Sequence, residues 1–285
     1  MWLIVLTVFF SVAVSLLLKI GSKKPFFSLA QAIAVNYVTA LLLDILYLHP
    51  NWHQVFHHQQ WLCLILGIFI PTLFLILGQA IKKIGIAKAD TAQRLALIIP
   101  VLCAFLLFHE TIKTVKLIAV GLAFFAIFLL FIPEKNARNM SNNKESIFYF
   151  YAVMIGFGIV DSLFKALTQS GLSTADALVS IFFLADILLF TWLLLNHTKW
   201  HVINIKLGIL IGIANFANIY FYLEAHRYFA NSPTLVFTAV NLGVIIFAVL
   251  IARSCFKERL TPINYTGISL AIIALWLLSN AANLS

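Results

Sequence analysis

Hydrophobic residues run along this chain in blocks of about twenty, separated by short polar joints, from one end to the other. Ten blocks fall at 2–19, 28–48, 61–81, 88–108, 114–132, 147–169, 174–195, 205–225, 232–253 and 262–280. A run of roughly 20 apolar residues, rising 1.5 Å per residue as an α-helix, matches the ~30 Å hydrocarbon core of a bilayer. Backbone amides in lipid must pair within their own segment, so the pattern predicts an all-α membrane protein of ten transmembrane helices. The longest polar stretch, 133–146, divides the chain into 1–132 and 147–285, with five spans on each side. The other joints are short, which predicts one compact bundle.

The two parts repeat one another at an offset of about 145. Ser15-Leu-Leu-Leu-Lys19 falls on Asp161-Ser-Leu-Phe-Lys165, and Gly67-Ile68 on Gly212-Ile213. Phe108, Glu110 and Ile112 fall on Phe256, Glu258 and Leu260, and the run 122–126 on 270–274. Five spans is an odd number, so the second copy enters the membrane from the opposite side. The expectation is an inverted-topology repeat about a pseudo-two-fold axis in the membrane plane.

Composition sharpens this reading. The chain is 62% hydrophobic and only 10% charged, with a mean hydropathy of +1.01. A soluble domain carries about a quarter charged residues. The net charge of +9 is gathered at span ends, which argues for orientation in a membrane and against nucleic acid. Fourteen Lys and Arg fall in loops on one side, against Lys113, Lys116 and Arg227 on the other. The bias puts the first side in the cytoplasm and both termini outside, in the plasma (bacterial inner) membrane. The first block starts at Trp2 with no basic stretch before it and reads as a span rather than a cleaved leader. Cys63, Cys103 and Cys255 lie in or near apolar runs without metal spacing and read as structural thiols.

Pro100 in the fourth span, Glu110 just after it and Ala119 opening the fifth form a pattern that resembles the EamA domain of the drug/metabolite transporter superfamily. The second copy repeats its tail as Phe256-Lys-Glu258-Arg-Leu-Thr-Pro-Ile-Asn-Tyr-Thr-Gly267. The resemblance covers the whole chain as two such units and implies export of amino acids or other metabolites, drugs included. Two departures stand out. Ala248 replaces the proline in the second copy, so only one fourth-position helix is expected to kink. Family members are often described with cytoplasmic termini, the reverse of the charge bias here.

Polar residues at membrane depth are costly, a mid-span charge by about 2.5–3.5 kcal/mol, and are functional candidates for that reason. Asp161 and Lys165, and likewise Asp90 and Arg94, are spaced i to i+4 and can pair within a helix. Such a pair either eases insertion or couples transport to a proton or ion, and Lys19 and Lys165 sit near span ends, where snorkelling is cheap. Asp186 has no basic residue a helical turn away. It either takes a proton, faces a wet cavity, or meets another helix. Asn215, Asn218 and Tyr222 form a stripe fit to line a polar cavity or to bond helices together. Asn36, Gln93 and Asn241 complete the substrate-binding candidates, with Gln93 and Asn241 equivalent between the copies. Glu110 and Glu258 read as structural, pairing with a nearby Lys or Arg or capping the following helix at Thr114 or Thr261. His49, His53, His57 and His58 have a spacing of four but no Cys or carboxylate beside them, so no metal or cofactor is expected. Gly156, Gly158, Gly208 and Gly212 allow close helix approach within the bundle.

There is no HExxH, P-loop or nucleophile elbow. The pattern predicts a secondary transporter that is not an enzyme, a monomer or homodimer in the lipid bilayer. Its partner would be a small polar or amphipathic molecule, amino-acid-like as the resemblance implies, moved by alternating access. An intramembrane lipid-modifying enzyme would need clustered catalytic residues near one interface. A membrane scaffold would need no polar cavity at all.

Overall fold

The computed structural model describes residues 1–57, 61–111, 113–130, 144–256 and 261–283. These residues form helices and loops, with no strand among them. The helices are α1 (Trp2–Ser22), α2 (Leu29–Leu43), α3 (Trp52–His57), α4 (Trp61–Ile84), α5 (Ile86–Leu95), α6 (Ile98–Leu106) and α7 (Thr114–Leu130), followed by α8 (Lys144–Gln169), α9 (Thr174–Leu195), α10 (Val202–Tyr228), α11 (Pro233–Phe256) and α12 (Pro262–Asn283). Among the described residues nine helical segments are long and apolar enough to cross a membrane, and α7 is a shorter apolar helix. Phe9, Leu46, Phe128, Phe148, Leu194 and Trp276 point outward, an arrangement that suits lipid and not water. Most of the polar joint at 133–146 lies outside the described residues, as do Glu258 and His58.

The fourth span is broken into α5 and α6 at Ala96–Leu97. Pro100 has no N–H, and its ring crowds the carbonyl four residues back, which is that of Ala96. The kink expected at Pro100 is therefore displaced one turn upstream. With Ala248 in the equivalent place, α11 runs unbroken.

Helix packing follows the numbering of the repeat. α1 packs on α10 as α8 packs on α4, and α2 packs on α10 as α9 packs on α4. α1 meets α11 as α8 meets α5 and α6, while α2–α9 and α7–α12 pair across the two parts. The correspondence reaches single atoms. A Cβ on Gly212 would lie 2.8 Å from the Asn36 carbonyl oxygen and 2.5 Å from Thr39 Cβ. A Cβ on Gly67 would lie 3.2 Å from the Ile181 oxygen and 2.9 Å from Leu184 Cβ. A shift of 145 carries Gly67 to Gly212, Asn36 to Ile181 and Thr39 to Leu184. Gly208 meets the Ala32 oxygen in the same way, so the Gly208–Gly212 spacing serves packing of α10 on α2.

Polar joints between the parts lie at helix starts. Gln31 Nε2 donates to the Lys199 carbonyl (2.7 Å), and Asn204 links Gln31 Oε1, the Phe26 carbonyl and the Ser28 amide. At the corresponding place on α9, Asp176 accepts from the Asn51 amide (2.7 Å).

Candidate functional site

At mid-span the aromatic side chains of four helices meet in a chain, and one carboxylate lies near its Tyr37 end. Tyr37 of α2 stacks on Phe182 of α9 (centroids 5.9 Å) and meets Phe74 of α4 edge-on (6.5 Å). Phe74 in turn meets Phe157 of α8 (6.4 Å). One turn beyond Phe182, Asp186 is 8% exposed. Neither of its oxygens has a hydrogen-bond partner, and the fully buried Tyr37 hydroxyl has none either. The two groups are close enough to interact electrostatically.

Phe157, Asp161 and Phe164 share one face of α8 by helical spacing. That face leads from the aromatic wall to a charged cluster. The Tyr222 hydroxyl donates to the Asp161 carboxylate, while Phe164 meets the Tyr222 ring edge-on at 6.2 Å. Arg94 of α5 lies within electrostatic reach of Asp161 and holds Asp90 at 3.3 Å. One turn along α10, the His226 ring sits between Tyr222 (4.7 Å) and Phe237 (4.5 Å). Neither of its nitrogens has a partner, although a neutral imidazole carries one donor and one acceptor.

Lys165 is 0% exposed and donates to the carbonyls of His226 (3.4 Å) and Ala230 (3.1 Å), the free acceptors at the end of α10. Glu110 is beside it. Glu110 Oε1 accepts from Lys116 Nζ at 2.9 Å, and Oε2 accepts from the Thr234 amide at 2.9 Å and from the Thr234 hydroxyl. A loop of the first part thus caps α11 of the second, where a carboxylate is favoured by the helix dipole.

These placements revise several expectations. Asp161 turns to Tyr222 and Arg94 instead of Lys165, and Lys165 is sunk among helix-end carbonyls rather than snorkelling. Asp90 and Arg94 do pair along their helix. Glu110 pairs with a nearby lysine as expected, but it caps α11 and not the helix that follows it. Asn218 leaves the stripe and bonds the Thr7 carbonyl of α1 (2.8 Å), which makes it a packing contact. Asn241 bonds back to the Phe237 carbonyl of its own helix. Asn36, at the contact of α2 with α10, has no partner for either side-chain atom, and Asn215 has none for Nδ2. Gln93 is half-buried. His49 adopts a left-handed turn (φ 50°), and among the described residues no three His, Cys, Asp or Glu are grouped to hold a metal. Cys63 is buried and Cys103 partly so, both as free thiols.

Tyr37, His226 and Thr234 were not singled out by sequence pattern. His226 continues the Asn215–Tyr222 line at i+11, a signal that was present. Tyr37 and Thr234 acquire meaning only from neighbours on other helices. The same holds for Asp44, which is fully buried where α2 widens into a π-turn, with both oxygens unpartnered and Asp176 nearby.

No family model matches the chain. One solved crystal structure superposes with a TM-score of 0.76 over 99% of this chain and 96% of its own, at 12% identity, which establishes a shared fold. An uncharacterized protein of Haemophilus influenzae is 38% identical over 275 residues, covering 94% of each chain. With likeness of that extent end to end, this chain belongs to the same family as that Haemophilus protein.

Proposed function

We propose that the chain is a secondary transporter of the EamA type, built from two five-helix units inserted in opposite orientations. It moves a small polar or amphipathic solute, amino-acid-like compounds included, out across the plasma (bacterial inner) membrane by alternating access. One observation carries the reading. Polar groups without partners are drawn from both units and held at mid-span, with Asn36 and Tyr37 from the first and Asp186 and Asn215 from the second. Buried polar atoms in native proteins are bonded with few exceptions, so a concentration of orphans marks a place where a solute supplies the partners. Packing that repeats under a shift of 145 supports the two-unit frame. Asp161, Lys165 and Asp186 are the groups positioned to couple a proton or ion.

The purified protein in liposomes should move at least one solute of a metabolite panel down an imposed gradient without ATP. Equal flux in protein-free vesicles for every member would sink the reading. A catalytic role would instead show as chemical change in the added lipid.

A further inference from the structure

We propose that the mid-span cluster around Asp186 takes a small organic ammonium ion, with the Asp186 carboxylate as its anchor. The inference rests on the reading of that cluster as the solute site and narrows the solute to one charge type.

The lack of any bonded partner is what singles Asp186 out. Glu110 pairs with Lys116, Asp90 with Arg94 and Glu224 with Arg227, while Asp161 accepts from Tyr222 and Asp176 from the Asn51 amide. Among the described carboxylates only Asp186 and Asp44 have neither oxygen bonded. Asp44 has a second carboxylate, Asp176, for a neighbour. Asp186 instead has rings. Phe182 lies one turn before it on the same helix, and Tyr37 stacks on Phe182 with its buried hydroxyl also unpartnered. A carboxylate beside aromatic faces is the chemistry that receives an ammonium group, by charge and by cation–π attraction. A Tyr hydroxyl can accept from the same N–H groups.

The lack of a nearby cation argues against a zwitterion or an anion. Among the described residues no Lys or Arg acts electrostatically on Asp186; Arg94 lies with Asp90 and Asp161, Lys116 with Glu110, and Lys165 with two carbonyls. The edge-on chain Tyr37–Phe74–Phe157 continues the cluster with apolar rings, which suits an amine with an apolar body.

The test is a charge series on the full-length protein in detergent, read by calorimetry. The probes are benzylammonium, tetramethylammonium, benzyl alcohol, benzoate and phenylalanine. The expected result is binding of benzylammonium, with benzyl alcohol, benzoate and phenylalanine weaker by about tenfold or more, and Asp186→Asn weakening the amine by about 10- to 100-fold. Should that variant fail to fold, the wild-type protein is treated with dicyclohexylcarbodiimide and the modified peptides are identified by mass spectrometry. Benzylammonium should protect Asp186 and leave modification elsewhere unchanged. Equal binding of benzyl alcohol, benzoate or phenylalanine, or no binding of either amine, overturns the proposal. Liposome flux separates the two readings. Amine binding without flux would sink transport and leave the site, while flux of a neutral or anionic solute without amine binding would do the reverse.

Discussion

Glu110 offers the sharpest energetic test of the architecture. Its two oxygens serve different masters: Lys116 Nζ at 2.9 Å, and the first turn of α11 through Thr234. The Glu110 and Lys116 side chains are 0% and 1% exposed, so solvent screens neither. Removing one partner of a buried pair costs about 3–5 kcal/mol, because the survivor stays buried and uncompensated. Loss of the helix cap adds about 1 kcal/mol. Glu110→Ala should therefore destabilise by about 4–6 kcal/mol. Glu110→Gln keeps an oxygen for Thr234 and should cost the pair alone, about 3–5 kcal/mol. The double variant Glu110→Gln/Lys116→Met removes the buried ammonium as well and should cost under about 2 kcal/mol, a coupling visible only in a full cycle. Reversible SDS unfolding in mixed micelles gives these numbers directly. A Glu110→Gln cost below about 1 kcal/mol would show that Lys116 does not depend on Glu110, and the reasoning would fail.

Other expectations are narrower. Gly212→Ala, whose Cβ would lie 2.8 Å from a backbone oxygen, should cost about 1–3 kcal/mol in the same unfolding assay. Gly67→Ala should cost less, and Gly121→Ala, with nothing within 4 Å, should cost nothing or stabilise through helix propensity. Tyr222→Phe strips Asp161 of a hydrogen-bond donor and should cost about 1–3 kcal/mol, with less than additive loss when combined with Asp161→Asn. A C-terminal alkaline phosphatase fusion should be active and a fluorescent-protein fusion dark, since the loop charges predict that end to lie outside; the opposite pattern reverses the predicted topology.

Much of the frame was legible because bilayers impose a simple rule on sequence. The ten apolar blocks correspond closely to helices, and Pro100 announced the break between α5 and α6 to within a turn. The site was only half legible. Asp186, Asn36 and Asn215 stood out as polar residues inside apolar runs; in the fold the first two have no side-chain partner and Asn215 has none for Nδ2. Partner choice was not readable. Spacing along one helix proposed Lys165 for Asp161, but Tyr222 on another helix lies nearer to hand. The Glu110–Thr234 contact joins residues 124 apart, and no local period encodes it. Asn218 looked equivalent to Asn215, yet α1 packs on that side of α10 and claims it for Thr7.

The glycine contacts carry a mechanical consequence. At Gly208 and Gly212 against α2, and at Gly67 against α9, the glycine backbone sits against a carbonyl and the branch-point or β-carbon of Val35, Thr39 or Leu184, atoms fixed close to the facing helix axis. Such seams neither compress nor tolerate sliding of a turn without collision. If one five-helix unit tilts against the other, these points are the fulcrum, and everything else travels in proportion to its distance from them. Spin labels placed beside Gly67 and Gly212 should keep a fixed separation, while labels at the ends of α1 and α8 describe the arc.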